Sequence, residues 1–399
     1  MAAALLEVGV AFAAVAVAAA AAARLGVSYI PAFILVGILV GPNPPTEIAG
    51  VPVALVEGGE FVDVLAELGV VFLLFFLGLE FSVDVLLADR RRIATVGVVD
   101  LALNAPAGLL LALVFGRTPL EAAFVAGVVY ISSSAIVTRT LLDTGWIANP
   151  EAEPVLGTLV FEDLVIAGYL AVLSSLLLGE GDALAALTGV GTALAFLGAL
   201  AVLAWLGGRA IERVFDHRSD EVFLLQVVGA TTLVAGGALT LGASEAVAAF
   251  FVGAGFSGTE LVDRLEDVLV PLRDLFAAVF FLSIGLLTDV TLLPAAGALL
   301  GAAVVLTAVT KLVSGTVAGR VYGLSPARSV RTGLALVPRG EFSLVLAALA
   351  VTVGGSVGTF VPTFAVGYVL GTSLLGALLV GGADVLTPLL AARLPGGPD

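Results

Sequence analysis

The feature that most constrains this chain is a series of apolar runs, most of them about 20 residues long, separated by short polar loops. A run of that length crosses the hydrocarbon core of a bilayer as an α-helix, which satisfies its own backbone hydrogen bonds. Hydrophobic residues make up 60% of the chain and charged residues only 12%, about half the charged share of a soluble domain. The sequence therefore predicts an all-α polytopic membrane protein and excludes disorder, nucleic-acid binding and a disulfide-stapled secreted fold.

We predict about 13 transmembrane helices from these runs. They cover residues 4–23, 27–41, 62–81, 93–115, 120–142, 154–178, 184–207, 221–240, 243–257, 270–287, 293–319, 328–353 and 358–390. The second and ninth are short and need cover from neighbouring helices. The last is long enough to tilt, or to break near Gly371.

The cationic residues predict how the helices are oriented. Of the 17 Lys and Arg residues, 13 lie in loops after odd-numbered helices, Arg117 alone follows an even-numbered helix, and three lie at membrane depth. Cytoplasmic loops carry the excess of positive charge, so the N-terminus is expected outside and the C-terminus in the cytoplasm. We expect a multi-pass protein of the cell (plasma) membrane.

The chain is expected to form one transmembrane domain over residues 1–399. The longest loops, 42–61 and 208–220, are too short to fold alone, so no soluble regulatory domain is expected and a regulatory subunit would be a separate chain. Cysteine is absent, His217 is the only histidine, and no Gly-rich nucleotide motif follows a strand. We therefore expect no cofactor, and no metal other than a transported monovalent cation.

Two adjacent carboxylates, Glu162 and Asp163, interrupt the sixth helix. Ionisable groups in hydrocarbon are expensive, so each is a functional candidate. Neighbours on a helix point about 100° apart, which lets one carboxylate face a cavity while the other faces a protein partner. A cavity carboxylate that holds either a proton or a monovalent cation performs the elementary step of cation/proton exchange. The alternative is a capping acid at a misplaced helix boundary.

Lys311, the only lysine, lies mid-way along the eleventh helix and needs a carboxylate or a water-filled cavity, and Glu162 or Asp163 is the expected partner. A purely structural ion pair is the alternative. Asp100 and Asn104, four residues apart on the fourth helix, share a face and either line a cavity or lock two helices together. We treat them as secondary candidates.

Two helices carry polar interruptions that predict unwinding at membrane depth. The fifth contains Ser132, Ser133 and Ser134, and the twelfth contains Pro338, Arg339, Gly340 and Glu341. Broken helices present half-helix ends that offset or bind buried ions. The breaks lie seven helices apart, which predicts two inverted six-helix repeats (about 4–178 and 221–390) joined by a linker helix (about 184–207) and containing two broken crossing helices.

These residues, with several further stretches, resemble the Kef-like branch of the monovalent cation:proton antiporters over nearly the whole chain. The matching stretches are Pro31–Pro42, Leu65–Glu80, Ser132–Ile136, Phe161–Asp163, Pro271–Phe276, Phe280–Gly285, Lys311 and Gly340–Phe342. The resemblance implies a thirteen-helix inverted repeat, alternating access of a core bundle against a dimer scaffold, and hence a homodimer. It also implies that Asp163 is the cation- and proton-binding aspartate, that Lys311 is the lysine of the equivalent helix, and that the two breaks are the crossing helices.

One position departs from the patterns of the family, because Glu162 stands where potassium-efflux members have Gln, sodium-selective electrogenic members Asp and electroneutral members often Asn. An acid there favours pairing with Lys311 and electrogenic exchange, whereas its length favours a displaced cation site. The hypothesis is an antiporter exchanging Na⁺ or K⁺ for H⁺ across the lipid bilayer. A gated cation channel and an intramembrane aspartyl protease are the alternatives; the first needs a selectivity filter and the second two aspartates on separate helices.

Overall fold

The computed structural model describes residues 2–25, 29–44, 46–48, 51–80, 89–178, 195, 198–200, 202–203, 208–215, 219–241 and 245–394. Sixteen α-helices lie within these ranges. The first eight are α1 (Ala2–Leu25), α2 (Tyr29–Val40), α3 (Glu60–Glu80), α4 (Arg90–Val114), α5 (Pro119–Tyr130), α6 (Ser134–Asp143), α7 (Ala152–Leu178) and α8 (Gly208–Phe215). The others are α9 (Asp220–Thr240), α10 (Glu245–Phe256), α11 (Val262–Leu286), α12 (Leu293–Val321), α13 (Pro326–Ala335), α14 (Glu341–Val353), α15 (Gly355–Gly381) and α16 (Ala383–Ala391).

The remaining regular structure is short. The loop before α3 contains a two-residue antiparallel pair, β1 (Glu47–Ile48) with β2 (Val51–Pro52), and 3₁₀ turns cover Trp146–Ala148 and Val290–Leu292. Within the described ranges eight helices are long and apolar enough to cross a membrane, and four shorter apolar helices (α2, α5, α10 and α14) accompany them. The prediction of an all-α polytopic membrane protein is confirmed.

Among the described residues the helix boundaries agree with the sequence prediction at most ends, with two differences. The tenth predicted helix begins at Val262 rather than at residue 270, and it carries Arg264 and Arg273 along its first turns. The last predicted helix is interrupted at Gly382, between α15 and α16, and not near Gly371, the break that the sequence offered as the alternative to a tilted helix. The predicted linker helix, 184–207, lies almost entirely outside the described residues.

The helices pack into two groups. The first, here called the outer group, consists of α1, α2, α3, α9, α10 and α11, with α3 packed along α10 and α11. Gly78 of α3 and Gly253 of α10 meet there, and a Cβ at either position would collide with the backbone of the other helix. The absence of side chains therefore allows the close approach, as at other small-residue contacts in membranes.

The second group, here called the core group, consists of α4 to α7 and α12 to α16. In it α4 contacts α5, α7 and α12, while α14 contacts α5, α7 and α15. The described part of each predicted repeat thus gives its first three membrane segments to the outer group and its last three to the core group. Both helix interruptions and all the predicted site residues lie in the core group.

Candidate ion-binding site

The two interrupted helices cross at their non-helical segments. One segment joins α5 to α6 through residues 131–133, and the other joins α13 to α14 through residues 336–340. The amide of Ser133 donates to the carbonyl of Pro338 at 3.0 Å, and the Ser132 hydroxyl, whose one proton is shared between Leu336 and Glu162, lies 3.1 Å from the carbonyl of Leu336. These bonds satisfy backbone groups that the unwound segments would otherwise leave unpaired in the membrane interior.

Local sequence explains why the crossing forms here. Pro338 has no N–H to continue the helical ladder. Gly340 lies against the other segment so closely that a Cβ there would be 2.7 Å from the Cβ of Ser133. Ser133 then starts α6, because its hydroxyl oxygen accepts from the amide of Ile136 at 3.1 Å while its proton is donated to Glu341 at 2.5 Å. Both predicted helix breaks are confirmed.

Arg339 brings a positive charge to the ends of two half-helices. Its side chain is fully buried, and its guanidinium donates to the carbonyls of Val129 at 3.0 Å and of Leu336 and Val337 at 2.9 Å each. The last carbonyls of a helix are unpaired and carry partial negative charge. The arginine therefore compensates the C-terminal ends of α5 and α13 where they meet.

The adjacent carboxylates of α7 point to different partners. Glu162, which is fully buried, accepts from the Ser132 amide at 2.5 Å and from the Ser132 hydroxyl at 3.0 Å. Asp163 faces the start of α6, where the Ser134 hydroxyl lies 3.3 and 3.4 Å from its two oxygens, and it keeps 7% exposure. The structure thus brings both carboxylates to the helix crossing, each against a different serine.

Lys311 of α12 lies between two carboxylates. Its Nζ is 2.5 Å from Oε1 of Glu162 and 2.6 Å from Oδ2 of Asp100, and all three side chains are buried. The aromatic ring of Tyr130 lies alongside, with its centroid 5.5 Å from the ammonium. Two carboxylates sharing one ammonium leave an excess of negative charge in the membrane interior, which suits a site that attracts a cation.

The structure places Asp100, a secondary candidate from the sequence, directly beside Lys311, together with Glu162, one of the two partners that the sequence predicts. Sequence reasoning misses Ser314, whose hydroxyl donates to Asp100, and Thr310, whose hydroxyl donates to Asn104. Thr310 and Ser314 flank Lys311 in the sequence at helical spacing, and that pattern was the available signal.

Comparison with known proteins agrees with this architecture. The family profile of the sodium/hydrogen exchanger transmembrane region matches residues 10–382. The chain belongs to this family. It is 39% identical to the K(+)/H(+) antiporter subunit KhtU of Bacillus subtilis over 94% of this chain and 92% of that protein.

Two further similarities are informative. The Ammonium/H(+) antiporter subunit AmhT of Alkalihalophilus pseudofirmus is 32% identical over 87% of this exchanger-family chain and 85% of the relative. The solved structure of the sodium proton antiporter MjNhaP1 from Methanocaldococcus jannaschii matches with a TM-score of 0.67 at 16% identity, covering 98% of this chain and 99% of that one. At that identity the match shows a shared fold.

Proposed function

We propose that this protein is a secondary active antiporter that exchanges a monovalent cation, Na⁺ or K⁺, for H⁺ across the membrane by alternating access. One observation carries the proposal: two adjacent buried carboxylates lie at the crossing of two broken helices, beside a single lysine. Half-helix ends and unwound backbone at membrane depth are the usual means of binding ions in transporters. The names of the relatives support the same activity, and they do not favour a gated channel.

Asp163 is the proposed carrier of the cation and the proton in turn. It keeps slight exposure while Glu162 has none, so it is the carboxylate of the pair that water and ions reach first. A protonated carboxyl group is neutral and has little affinity for Na⁺ or K⁺. A carboxylate that has bound the cation has little affinity for a proton. The Ser134 hydroxyl beside it provides a neutral oxygen ligand for a partly dehydrated cation.

Glu162 and Lys311 form the proposed charge balance of the site. The ammonium lies against Glu162 and so lowers the cost of placing that carboxylate next to Asp163 in the membrane interior. The crossing that fixes both carboxylates is formed by Ser132, Ser133, Arg339, Gly340 and Glu341. In this proposal the crossing residues hold the site in place, and the carboxylates do the exchange.

Alternating access is proposed to move the core group against the outer group, within one domain made of two inverted repeats. A homodimer, a plasma-membrane location, an outside N-terminus and a cytoplasmic C-terminus remain predictions. A separate regulatory subunit is part of the proposal, because two relatives are themselves named as antiporter subunits. K⁺ is the first cation to test, since one of them is named a K(+)/H(+) antiporter subunit.

The test is exchange in proteoliposomes with an inside-acid pH gradient, reported by a dye that is quenched as it accumulates in acidic vesicles. Addition of K⁺, Na⁺ or Li⁺ outside is expected to restore fluorescence as protons leave in exchange for the transported cation. NH₄⁺ is added as a fourth arm and compared with protein-free vesicles, because ammonia crosses bilayers unaided. A voltage-sensitive dye in parallel measures whether net charge moves.

Asp163→Asn is expected to abolish exchange without changing yield or the gel-filtration profile. Asp274→Asn is the matched control, since Asp274 is an exposed carboxylate paired with its neighbour Arg273. Exchange that survives in Asp163→Asn contradicts the role of Asp163. Cation flux that ignores the proton gradient and rises linearly with driving force would favour the channel instead.

A further inference from the structure

Asp100 has as many polar partners as Glu162, but all of them belong to two continuous helices. It lies in the middle of α4 with 1% exposure, and both its oxygens are engaged. Oδ2 faces the ammonium of Lys311 at 2.6 Å, while Oδ1 accepts from the Ser314 hydroxyl at 2.6 Å and from the Asn104 amide at 2.9 Å. The carboxylate is therefore held from three directions.

The residues that hold Asp100 are themselves held. The Asn104 amide also donates to the main-chain carbonyl of Asp100 at 2.9 Å, and its oxygen accepts from the Thr310 hydroxyl at 2.7 Å. Asn104 lies one turn beyond Asp100 on α4, and Thr310 and Ser314 flank Lys311 on α12. Two long uninterrupted helical segments thus clamp one side of the lysine.

The other side of the lysine is different. Glu162 takes its remaining hydrogen bonds from the amide and the hydroxyl of Ser132, which belongs to the unwound segment between α5 and α6. A non-helical segment has backbone freedom that a continuous helix lacks. Of the two carboxylates at Lys311, Asp100 is held by residues of continuous helices and Glu162 by a residue of an unwound segment.

We propose that Asp100 is a positioning residue for exchange, the permanent counter-ion that keeps the Lys311 ammonium in place when Glu162 turns from the lysine to the transported cation. This inference rests on the proposed function. An unpaired ammonium in the membrane interior is strongly disfavoured, so a lysine with one partner would hold that partner tightly. A lysine with two partners releases one of them at a much smaller cost.

The arrangement also bears on which cation ligands are available. With the ammonium retained on Asp100, the Glu162 oxygens, the Asp163 oxygens and the Ser134 hydroxyl form an oxygen-rich set at the helix crossing. Without Asp100, the ammonium would compete with the cation for Glu162. Asp100 therefore sets the apparent cation affinity without contacting the cation itself.

The test is the cation dependence of the initial exchange rate at one fixed pH in proteoliposomes. Asp100→Asn is expected to raise the apparent KM for the cation at least tenfold, with Vmax reduced less than threefold, because Lys311 then has Glu162 as its only carboxylate. The double variant Asp100→Asn/Lys311→Met removes the competing ammonium and is expected to lower KM below that of Asp100→Asn, while Vmax falls because Lys311 belongs to the site. A merely structural role for Asp100 would not produce that reversal.

Two further variants keep the test decisive. Asn104→Ala loosens the clamp while retaining Asp100 and is expected to raise KM about threefold, which remains measurable if Asp100→Asn does not fold. Ser314→Ala removes one of the three interactions of the carboxylate and is expected to change KM less than twofold. An unchanged KM in both Asp100→Asn and Asn104→Ala overturns the inference, and so does a raised KM in Asp100→Asn that the double variant does not lower. Failure of wild-type exchange, or survival of exchange in Asp163→Asn, would instead overturn the proposed function.

Discussion

Two clusters of charge in this molecule have the same number of members and opposite composition. The buried cluster consists of Asp100, Lys311 and Glu162, two carboxylates around one ammonium, with every side chain at most 1% exposed. The end cluster lies where the loop before α7 meets the start of α13. It consists of the Glu151 carboxylate, 3.0 Å from Arg328 and 3.5 Å from Arg331.

The clusters differ in the sign of their surplus charge and in its access to water. Among the three groups of the end cluster the surplus is positive, but the exposed Asp384 carboxylate lies 3.8 Å from Arg331 and the arginine side chains keep 41% and 30% exposure, so water and that carboxylate compensate most of it. Arg331 also lies over the ring of Trp146, 5.3 Å from its centroid. In the buried cluster the surplus charge is negative, and its side chains are not exposed to water that could solvate it. That difference suits the first cluster to holding helix ends together and the second to attracting a cation.

The largest effect is expected from Lys311→Met, which leaves two buried carboxylates without a cation. Removing one partner of a buried ion pair costs about 3–5 kcal/mol. We expect a large drop in melting temperature in detergent, or loss of folded protein, together with loss of exchange. The measurement is the amount of folded protein that remains after heating to each temperature, read by size-exclusion chromatography.

The triple variant Asp100→Asn/Lys311→Met/Glu162→Gln is the matched control, because it removes all three charges together. Replacement of a complete buried ion cluster by neutral groups is often close to neutral for stability. We expect the triple variant to unfold near the wild-type temperature and to have no normal exchange. A triple variant as unstable as Lys311→Met would mean that the cluster is mainly structural.

The next effect concerns the crossing that positions the buried cluster. Gly340→Ala places a methyl group 2.7 Å from the Cβ of Ser133, and overpacking of that kind costs about 1–3 kcal/mol. We expect a lower melting temperature in detergent and slower exchange in proteoliposomes. Gly236→Ala in α9 is the control, since a Cβ there meets nothing within 4 Å. Equal behaviour of the two variants would contradict the tight crossing.

The two clusters also show how far the sequence alone could go. A rare ionisable residue in an apolar run is conspicuous, so Glu162, Asp163 and Lys311 could be singled out, and proline or serine inside a helix located both breaks. Which ionisable residues pair with each other could not be predicted from the sequence in the same way. Lys311 and Asp100 are 211 positions apart, and which faces of α4 and α12 meet depends on how the helices pack. The pairing of Glu151 with two arginines depends on the same packing.

The start of α11 was predicted wrongly for a related reason. Apolar composition locates the part of a helix that crosses lipid, but a helix continues into water wherever its polar turns are stabilised by neighbours. Arg264 of α11 donates to Asp220 at 2.6 Å and lies over the Phe223 ring, so the helix begins eight residues before its apolar run. Composition contains no signal for such a contact.

A smaller effect is expected from Glu151→Gln in the end cluster. The glutamate side chain is 1% exposed, but its partners reach water, so the two arginines that it leaves remain solvated. Ion pairs near the surface contribute about 0.2–1 kcal/mol and weaken with salt. We expect a slightly lower melting temperature at low salt, a difference that shrinks in molar salt, and unchanged exchange. A loss as large as that of Lys311→Met would contradict the contrast between the clusters.

The smallest effect is expected from Asp384→Asn at the edge of the end cluster. Asp384 is 97% exposed and lies 3.8 Å from Arg331, so water and salt screen the ion pair. Loss of its charge therefore changes the free energy of unfolding little. We expect the melting temperature and the exchange rate to stay within error of wild type at low and at high salt. A shift as large as that of Glu151→Gln would mean that the number of ion pairs at this end matters more than their burial. The expected order, from Lys311 through Glu151 to Asp384, follows the access of each group and its partners to water.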